Sequence, residues 1–451
     1  MGVRFDMTPL QLYYQYLDPV LLREELWTSL LYLHSQPPLF NVFLGFMLWL
    51  PDSMHTSFAA CVWLAAGLAI ACALYLLLLR LGARPTLAAV LAILFVISPS
   101  TLLYENWFFY SYLIAAVTIV AAVILDAYLQ RRRPLTLAIF IAVLAVLSLT
   151  RSSFHVIWFA GIVAWLAYSL PAERKRVMRY GLVGLVAILL WYTKNAVVVG
   201  EFTNSTWLGM NIARITTFRL DSMDRVALVN DSTLSAEALV NPFSDLRYYH
   251  RIDTAPRFNS RAIDAPRKSN GETNFNHHAY IELAHRYSRN AVQTVIARPG
   301  AYVNGLVAAY VNYFMPASDY WFQNPNPAML AGYTDVYNTA VLGQFISRDE
   351  YDASPALRTN WLGRVGTMAL ILVIVIPASF IACALILWRN RKRREHVTLG
   401  FIWLTTLWVT VASNAIDNGE NNRFRFETDP MLIVLAGVAI EHVLRRRSGR
   451  V

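Results

Sequence analysis

The sequence predicts an all-α protein that crosses a membrane many times, on the evidence of low charge, long apolar runs and the placement of basic residues. Of the 451 residues, 56% are hydrophobic and 15% are charged, whereas soluble domains carry roughly 25% charged residues. The apolar runs approach the ~20 residues that a helix needs to cross the hydrocarbon core. They lie at about 56–80, 86–104, 107–129, 134–150, 153–170, 179–199, 362–388, 397–413 and 431–444.

Basic residues concentrate in alternate loops, which follow the first, third, fifth, seventh and ninth runs. Because basic loops stay in the cytoplasm, the remaining loops are expected to face outward from the cytoplasmic membrane. This placement accounts for the net charge of +10 without a nucleic-acid partner. The basic residues are Arg80, Arg84, Arg131, Arg132, Arg133, Arg174, Lys175, Arg176, Arg179, Arg389, Arg391, Lys392, Arg393, Arg394, Arg445, Arg446 and Arg447.

Runs and loops together divide the chain into four regions. Residues 1–55 are expected to form an outward-facing first loop, and residues 56–199 a transmembrane bundle of six spans. Residues 200–361 form a large, mixed outward-facing segment that includes a helix lying along the membrane at about 290–315. Residues 362–451 supply three further spans. We therefore expect one membrane bundle beneath one outer layer.

The first loop is predicted to contain two juxtamembrane helices. Residues 10–32 read as an amphipathic helix at the interface, and 38–50 is too short to cross. Since the run at 56–80 would pass inward, the first loop should begin outside. We therefore expect either a preceding span outside this sequence or a translocated N-terminus.

Redox chemistry is not indicated, because the three cysteines do not form a framework. Cys61, Cys72 and Cys383 all lie within apolar runs, and no metal-binding spacing is present. The sequence thus requires no cofactor. A divalent metal would still be compatible with its acidic residues.

Candidate catalytic acids lie near the predicted outer boundary. Asp6 and Asp18 belong to the first loop, and Glu105 lies in the short loop between the second and third runs. A carboxylate at such a place can act as a general base on an acceptor hydroxyl. The alternative is structural, since Asp18 precedes a proline and Glu105 could cap the next helix.

Candidate cations for a phosphate lie on the same side. Arg151 joins two apolar runs, and Lys194 lies near the outer end of a span. Arg423 and Arg425 lie in a dense polar loop that also contains Asp417, and they would share one face if that loop is extended. Guanidinium groups bind phosphate bidentately. The alternative for Arg151 and Lys194 is that their long side chains only reach the membrane interface. The alternative for Arg423 and Arg425 is a solvated loop whose charges neutralise one another.

Further polar residues are candidates for a substrate pocket because they fall in the same outward loops. A histidine beside a Pro-Pro turn places polar groups where a helix begins, and a second histidine follows Arg151. These pocket candidates are His34, Gln36, His155, Glu420 and Asn422. No glycine-rich phosphate loop, metalloprotease helix or serine triad is present.

Taken in order, these motifs resemble the GT-C glycosyltransferases. The resemblance rests on an acid before the turn His34-Ser35-Gln36-Pro37-Pro38-Leu39, a short acid-bearing second outer loop and a late loop with arginine before proline. Within that family, the sequence resembles particularly the bacterial branch similar to protein O-mannosyltransferases and to the lipid A aminoarabinose transferase. The family's adjacent Asp-Glu pair is replaced here by Asp6-Met7.

The resemblance implies a GT-C-like helical bundle, a reaction and a set of roles. A polyprenyl-phosphate sugar would donate its sugar to a glycan, lipid or protein acceptor at the outer face. Asp6 would be the catalytic acid, with Asp18 as the fallback, and Glu105 is similar to the second-loop acid. Arg423 or Arg425 would bind the donor phosphate, with Arg151 and Lys194 as helpers. One base facing a leaving phosphate implies direct displacement with inversion.

Two other functions remain open on the sequence. A transporter or flippase of lipid-linked glycans should contain inverted repeats or interrupted midplane helices. A non-catalytic scaffold for polysaccharide assembly would leave Asp6, Glu105 and Arg423 far apart. Potential intramembrane acids are few, since Asp126 and Glu441 lie near cytoplasmic ends, and this favours the transferase.

Overall fold

The computed structural model describes residues 2–320, 323, 325–389 and 395–447. Within those ranges the regular structure is helical and no strand forms. The only β-type pairings there are isolated bridges between Asp6 and Trp107 and between Arg267 and Thr273. The predicted all-α class is therefore confirmed.

The first loop contains four short helices rather than two. Pro19 disfavours a helical conformation at Asp18, whose carboxylate instead caps the next helix by accepting the Val20 amide at 3.0 Å. Glu25 leaves the helical region again, with φ −133° and ψ 44°. The single helix predicted at 10–32 is thus wrong. The helices are α1 (Pro9–Leu12), α2 (Pro19–Glu24), α3 (Leu26–Leu31) and α4 (Leu39–Leu48).

The next apolar runs form helices that are not all straight or long. Pro99 begins a new helix after a break, and the two parts of the second run meet at 57°. The fourth and fifth runs give helices of only 17 and 14 residues. The helices are α5 (Asp52–Arg80), α6 (Pro85–Val96), α7 (Pro99–Glu105), α8 (Ser111–Arg131), α9 (Pro134–Thr150), α10 (Val156–Ser169) and α11 (Arg174–Val199).

The outer segment is a layer of helices joined by turns. The helix predicted at about 290–315 is divided at Arg298, since Pro299 starts a second helix. Short 3-10 helices occur between the longer elements. The α-helices are α12 (Leu208–Ile215), α13 (Ser222–Asn230), α14 (Arg261–Asp264), α15 (Ala279–Ala297), α16 (Pro299–Phe314), α17 (Asn326–Tyr337), α18 (Arg348–Ala353) and α19 (Pro355–Thr359).

The C-terminal region completes the membrane bundle. Its helices are α20 (Trp361–Gly366), α21 (Leu370–Arg389), α22 (Glu395–Ile416), α23 (Asn421–Phe426) and α24 (Asp429–Arg447). By length and composition, five helices of the described chain can cross a membrane, or six if α6 and α7 count as one bent span. The sequence predicted nine spans. The helices support a helical membrane protein, but fewer of them than predicted are long enough to cross. The five are Asp52–Arg80, Ser111–Arg131, Pro171–Val199, Leu370–Arg389 and His396–Ile416.

Three of the predicted basic loops converge at one end of the bundle. Arg80 Nη1 lies 2.6 Å from Asp126 Oδ2, and Arg84 Nε lies 3.2 Å from Glu441 Oε1. Arg445 donates to the carbonyl oxygen of Gly82. The loops after α5 and α8 and the end of α24 are thus neighbours, as alternate loops of a bundle should be. The basic residues at 391–394 lie outside the described residues.

At the opposite end, the first loop and the outer segment pack as one layer. Asp18 Oδ2 accepts the Ser269 amide at 2.7 Å, and Lys268 Nζ donates to the Tyr13 carbonyl at 2.8 Å. His34 Nδ1 lies 2.9 Å from Thr206 Oγ1. These buried polar contacts bind the first loop to residues far away in the sequence.

A close helix contact in this layer predicts a stability effect. A Cβ atom at Gly209 would lie 1.8 Å from the Ala284 carbonyl oxygen, whereas one at Gly300 would have no neighbour within 4 Å. We expect Gly209→Ala to destabilise the protein by roughly 1–3 kcal/mol, the usual cost of overpacking. The control Gly300→Ala should leave the Tm unchanged or raise it. Thermal unfolding in detergent checks this, and equal Tm values would contradict the predicted contact.

Candidate functional site

A cavity of about 340 Å³ lies where the outer layer meets the membrane bundle. Its walls come from the first loop, the start of α10, α12, the end of α22 and α23. Ile157, Leu208, Trp408 and Phe424 provide apolar surface, while the ionisable groups gather on one wall. The volume is that of a small-molecule site.

Arginines and carboxylates alternate along that wall. Arg151 Nε lies 3.2 Å from Glu427 Oε1, and Arg423 Nη1 lies 3.7 Å from the same oxygen. Arg423 also forms an ion pair with Glu420. Buried charges need such partners, and the alternation supplies them within one network.

The network continues through Arg214 on α12. Arg214 Nη1 lies 3.2 Å from Asp417 Oδ1 and 3.9 Å from Glu420 Oε1. The Tyr14 hydroxyl donates to Glu420 Oε1 at 2.8 Å. Three elements distant in the sequence, the first loop, α12 and the loop after α22, therefore meet at the two carboxylates.

Arg423 is held by aromatic rings as well as by ion pairs. Its guanidinium carbon lies 4.9 Å from the centroid of the Phe109 ring and 4.8 Å from that of Phe424. The residue is 1% exposed, and Arg423 Nε has no hydrogen-bond acceptor in the described structure. Since a buried N–H donor without a partner is costly, this group is a candidate to bind a ligand.

The two carboxylates of the cavity differ in their protonation. Burial raises the pKa of Asp417, although Arg214 acts in the opposite direction. Burial also disfavours the charged form of Glu420, but Arg423 and Arg214 outweigh it and hold the pKa of Glu420 well below its usual range. Asp417 is therefore the better proton acceptor, and Glu420 remains a fixed negative charge.

Five of the predicted site residues line this cavity: Arg151, Gln36, His155, Glu420 and Arg423. His155 is half-buried, and its Nδ1 accepts the Ile157 amide at 3.3 Å at the start of α10. Sequence reasoning thus placed residues from three separate loops near one another.

Three other predicted residues, Arg425, Lys194 and His34, are engaged in structural contacts. Arg425 was expected beside Arg423, but residues 421–426 are helical rather than extended. In a helix of 3.6 residues per turn, side chains two residues apart point to nearly opposite sides. Arg425 donates to the Met315 carbonyl at 2.9 Å and pairs with Asp429 at 3.0 Å. Lys194 Nζ instead lies 3.6 Å from the centroid of the Trp191 ring and donates to a backbone carbonyl.

His34 is buried and structural. Its Nε2 lies 2.9 Å from the Asn276 carbonyl, and its Nδ1 contacts Thr206. Burial lowers its pKa to about 3, so the ring is neutral and both nitrogens are occupied. The expectation that it lines the substrate pocket is therefore not met.

The predicted catalytic acids lie outside the cavity wall. Asp6 Oδ1 accepts the Thr8 amide at 2.9 Å, and Asp18 caps α2. Glu105 lies against α5, close to Gly67, and hydrogen-bonds with Tyr112. Their catalytic roles remain predictions, and none of the three lines the cavity that contains the arginines.

A second cavity of about 680 Å³ lies on the other side of Arg214. Asp319, Asp335 and Arg348 line it, and so does Asn422, which was predicted for the first pocket. Among the described residues, no group of three His, Cys, Asp or Glu is placed to hold a metal ion. Arg214 thus separates two differently charged spaces.

Sequence reasoning missed several cavity residues, among them Tyr14, Gln15 and Arg214. No local pattern distinguishes them, since each is one polar residue in an otherwise ordinary stretch. Asp417 carried a signal, because it belongs to the same dense loop as Glu420 and Arg423.

Comparison with protein-family models, with curated proteins and with solved structures gives no match for this chain. The resemblance to the GT-C enzymes accordingly stays a prediction.

Proposed function

We propose that the protein is a membrane glycosyltransferase that moves a sugar from a polyprenyl-phosphate donor to an acceptor at the outer face of the cytoplasmic membrane. The observation that carries the proposal is the cavity wall of Arg151, Arg214 and Arg423, placed where membrane helices meet the outer layer. Such a wall suits an anion that arrives on a lipid.

The rim of the cavity supports entry from the bilayer. Ile157 is 62% exposed and Leu208 is 51% exposed, and both line the cavity. Exposed apolar side chains beside the cavity suit a prenyl chain, which would stay in the hydrocarbon region while its phosphate reaches the arginines. A water-soluble nucleotide sugar would not need this rim.

The chemistry follows from the neighbouring groups. The acceptor hydroxyl would lose its proton to Asp417 as its oxygen bonds to the anomeric carbon. The bond from that carbon to the phosphate oxygen would break, and the phosphate would leave with the electron pair. Arg423 and Arg151 would stabilise the negative charge on the leaving phosphate. Displacement in one step inverts the anomeric centre.

This assignment moves the base from Asp6 to Asp417. Asp417 lines the arginine cavity, whereas Asp6 caps the chain turn before α1. The acceptor is a glycan, a lipid or a protein, and Arg214 lies in the walls of both cavities.

The proposal is tested by reconstitution in liposomes with a radiolabelled polyprenyl-phosphate sugar and membrane extract as the source of acceptor. We expect protein-dependent release of polyprenyl phosphate together with labelled acceptor. Movement of the intact donor between leaflets, with no bond cleaved, would identify a flippase and overturn the proposal.

The raised pKa of Asp417 predicts a pH dependence. A general base works only when ionised, so kcat/KM should fall as pH falls through a pKa above the 3.8 of an ordinary aspartate. The pH–rate profile with saturating acceptor checks this. An acid limb at the ordinary aspartate value, or none, would contradict the role of Asp417.

A further inference from the structure

Uncharged polar side chains form a second part of the arginine cavity. The amides of Gln15, Gln36, Asn204 and Asn211 all line it. Gln15 is 5%, Gln36 8% and Asn204 5% exposed. The proposed transfer reaction uses none of these four residues.

One of these amides has a buried oxygen without a hydrogen-bond partner. Gln15 Oε1 is fully buried and accepts no hydrogen bond in the described structure. Gln36 and Asn204 are also buried residues of the cavity lining, and Asn211 is half-buried there. Buried polar groups are nearly always satisfied, and one left unsatisfied is costly. The unsatisfied oxygen of Gln15, beside three further amide residues of the same lining, therefore makes this part of the cavity a candidate to bind a ligand.

The backbone holds the amides in place. Ser205 Oγ donates to the Ser35 carbonyl at 2.6 Å, and the Thr206 amide donates to the His34 carbonyl at 3.1 Å. These contacts fix residues 34–36 beside residues 204–206, so Gln36 and Asn204 are neighbours across the junction. On α12, the spacing of three residues between Asn211 and Arg214 puts them on one face. The amides thus adjoin the charged wall.

An aromatic surface completes this part of the cavity. The Trp207 ring centroid lies 5.5 Å from that of Tyr14 and 5.2 Å from that of Phe243. All three rings line the cavity. A pyranose ring has an apolar face of C–H groups that packs on aromatic rings and an edge of hydroxyls.

From these observations we infer that this amide-lined subsite binds a neutral sugar, with or without an acetamido group; the inference rests on the proposed function. An amide donates and accepts hydrogen bonds, as a hydroxyl does. The carboxylates of the cavity are paired with Arg214 and Arg423, so an amino sugar would have to compete with these arginines for them. An acidic sugar would bring a second anion close to Asp417 and Glu420.

Binding to the detergent-solubilised full chain tests the inference. The probes are farnesyl phosphate alone and farnesyl phosphate carrying glucose, N-acetylglucosamine or glucuronic acid. We expect the two probes with neutral sugars to bind more tightly than bare farnesyl phosphate. The probe with glucuronic acid should bind less tightly than either neutral-sugar probe. Equal binding of bare and neutral-sugar probes, or preference for the acidic sugar, would overturn the inference without any mutant.

Two variants then assign the effect to residues. Gln15→Leu and Gln36→Leu should each weaken binding of the neutral-sugar probes by about fivefold, near one hydrogen bond, and leave bare farnesyl phosphate unaffected. The exposed Gln293→Leu is the matched control. Unchanged sugar binding in both variants would overturn the assignment. These binding measurements do not depend on transfer. If the protein binds the probes as expected but transfers no sugar in the liposome assay, the proposed function is refuted and the sugar subsite is not.

Discussion

Replacing Asp417 by asparagine is expected to reduce sugar transfer by about 10²–10⁴-fold, the usual contribution of a general base. The asparagine keeps the shape of the side chain but cannot take the proton of the acceptor hydroxyl. Arg214 would keep Glu420 as its partner at 3.9 Å, so the fold should survive. Single-turnover transfer, with binding of farnesyl phosphate measured beside it, checks that the loss lies in chemistry.

Asp6→Asn is the matched control, because the two aspartates make opposite predictions. The resemblance assigns the base to Asp6, whereas the cavity assigns it to Asp417. Asparagine at position 6 can still accept the Thr8 amide, so near-normal transfer is expected. An inactive Asp6→Asn protein beside an active Asp417→Asn protein would restore the first-loop acid and refute our assignment.

Arg423→Lys is expected to lower kcat by about 10²–10³-fold, as loss of an oxyanion donor does. Lysine keeps the positive charge, so the buried carboxylates stay neutralised. It lacks the planar fork and the Nε–H group, and so it cannot hold Glu420 and Ser111 while also contacting a phosphate. Steady-state transfer assays with the folded, monodisperse fraction measure this.

Arg425→Lys provides the comparison, since it lies two residues away on the same helix. Arg425 contacts backbone carbonyls and Asp429, so its replacement should lower the Tm and leave kcat of the folded protein unchanged. If Arg425→Lys loses kcat while Arg423→Lys keeps it, the phosphate site has been placed on the wrong arginine.

The helical membrane character followed from the sequence because it depends on local chemistry. An apolar run of sufficient length must form a helix in a bilayer, and basic loops recur at one end whatever the tertiary packing. Arg80 and Arg445 were accordingly placed at one end, and the structure brings their loops together. The breaks at Pro19, Pro99 and Pro299 are equally local.

The composition of the cavity was decided by tertiary structure. Arg423 and Arg425 are indistinguishable in sequence, and the helix of residues 421–426 turns only Arg423 towards the cavity. Gln15 and Arg214 became site residues because the first loop and α12 pack against the end of α22. Whether a polar side chain is satisfied by its own protein or left to bind a ligand depends on contacts between residues hundreds of positions apart. Sequence periodicity alone does not record those contacts.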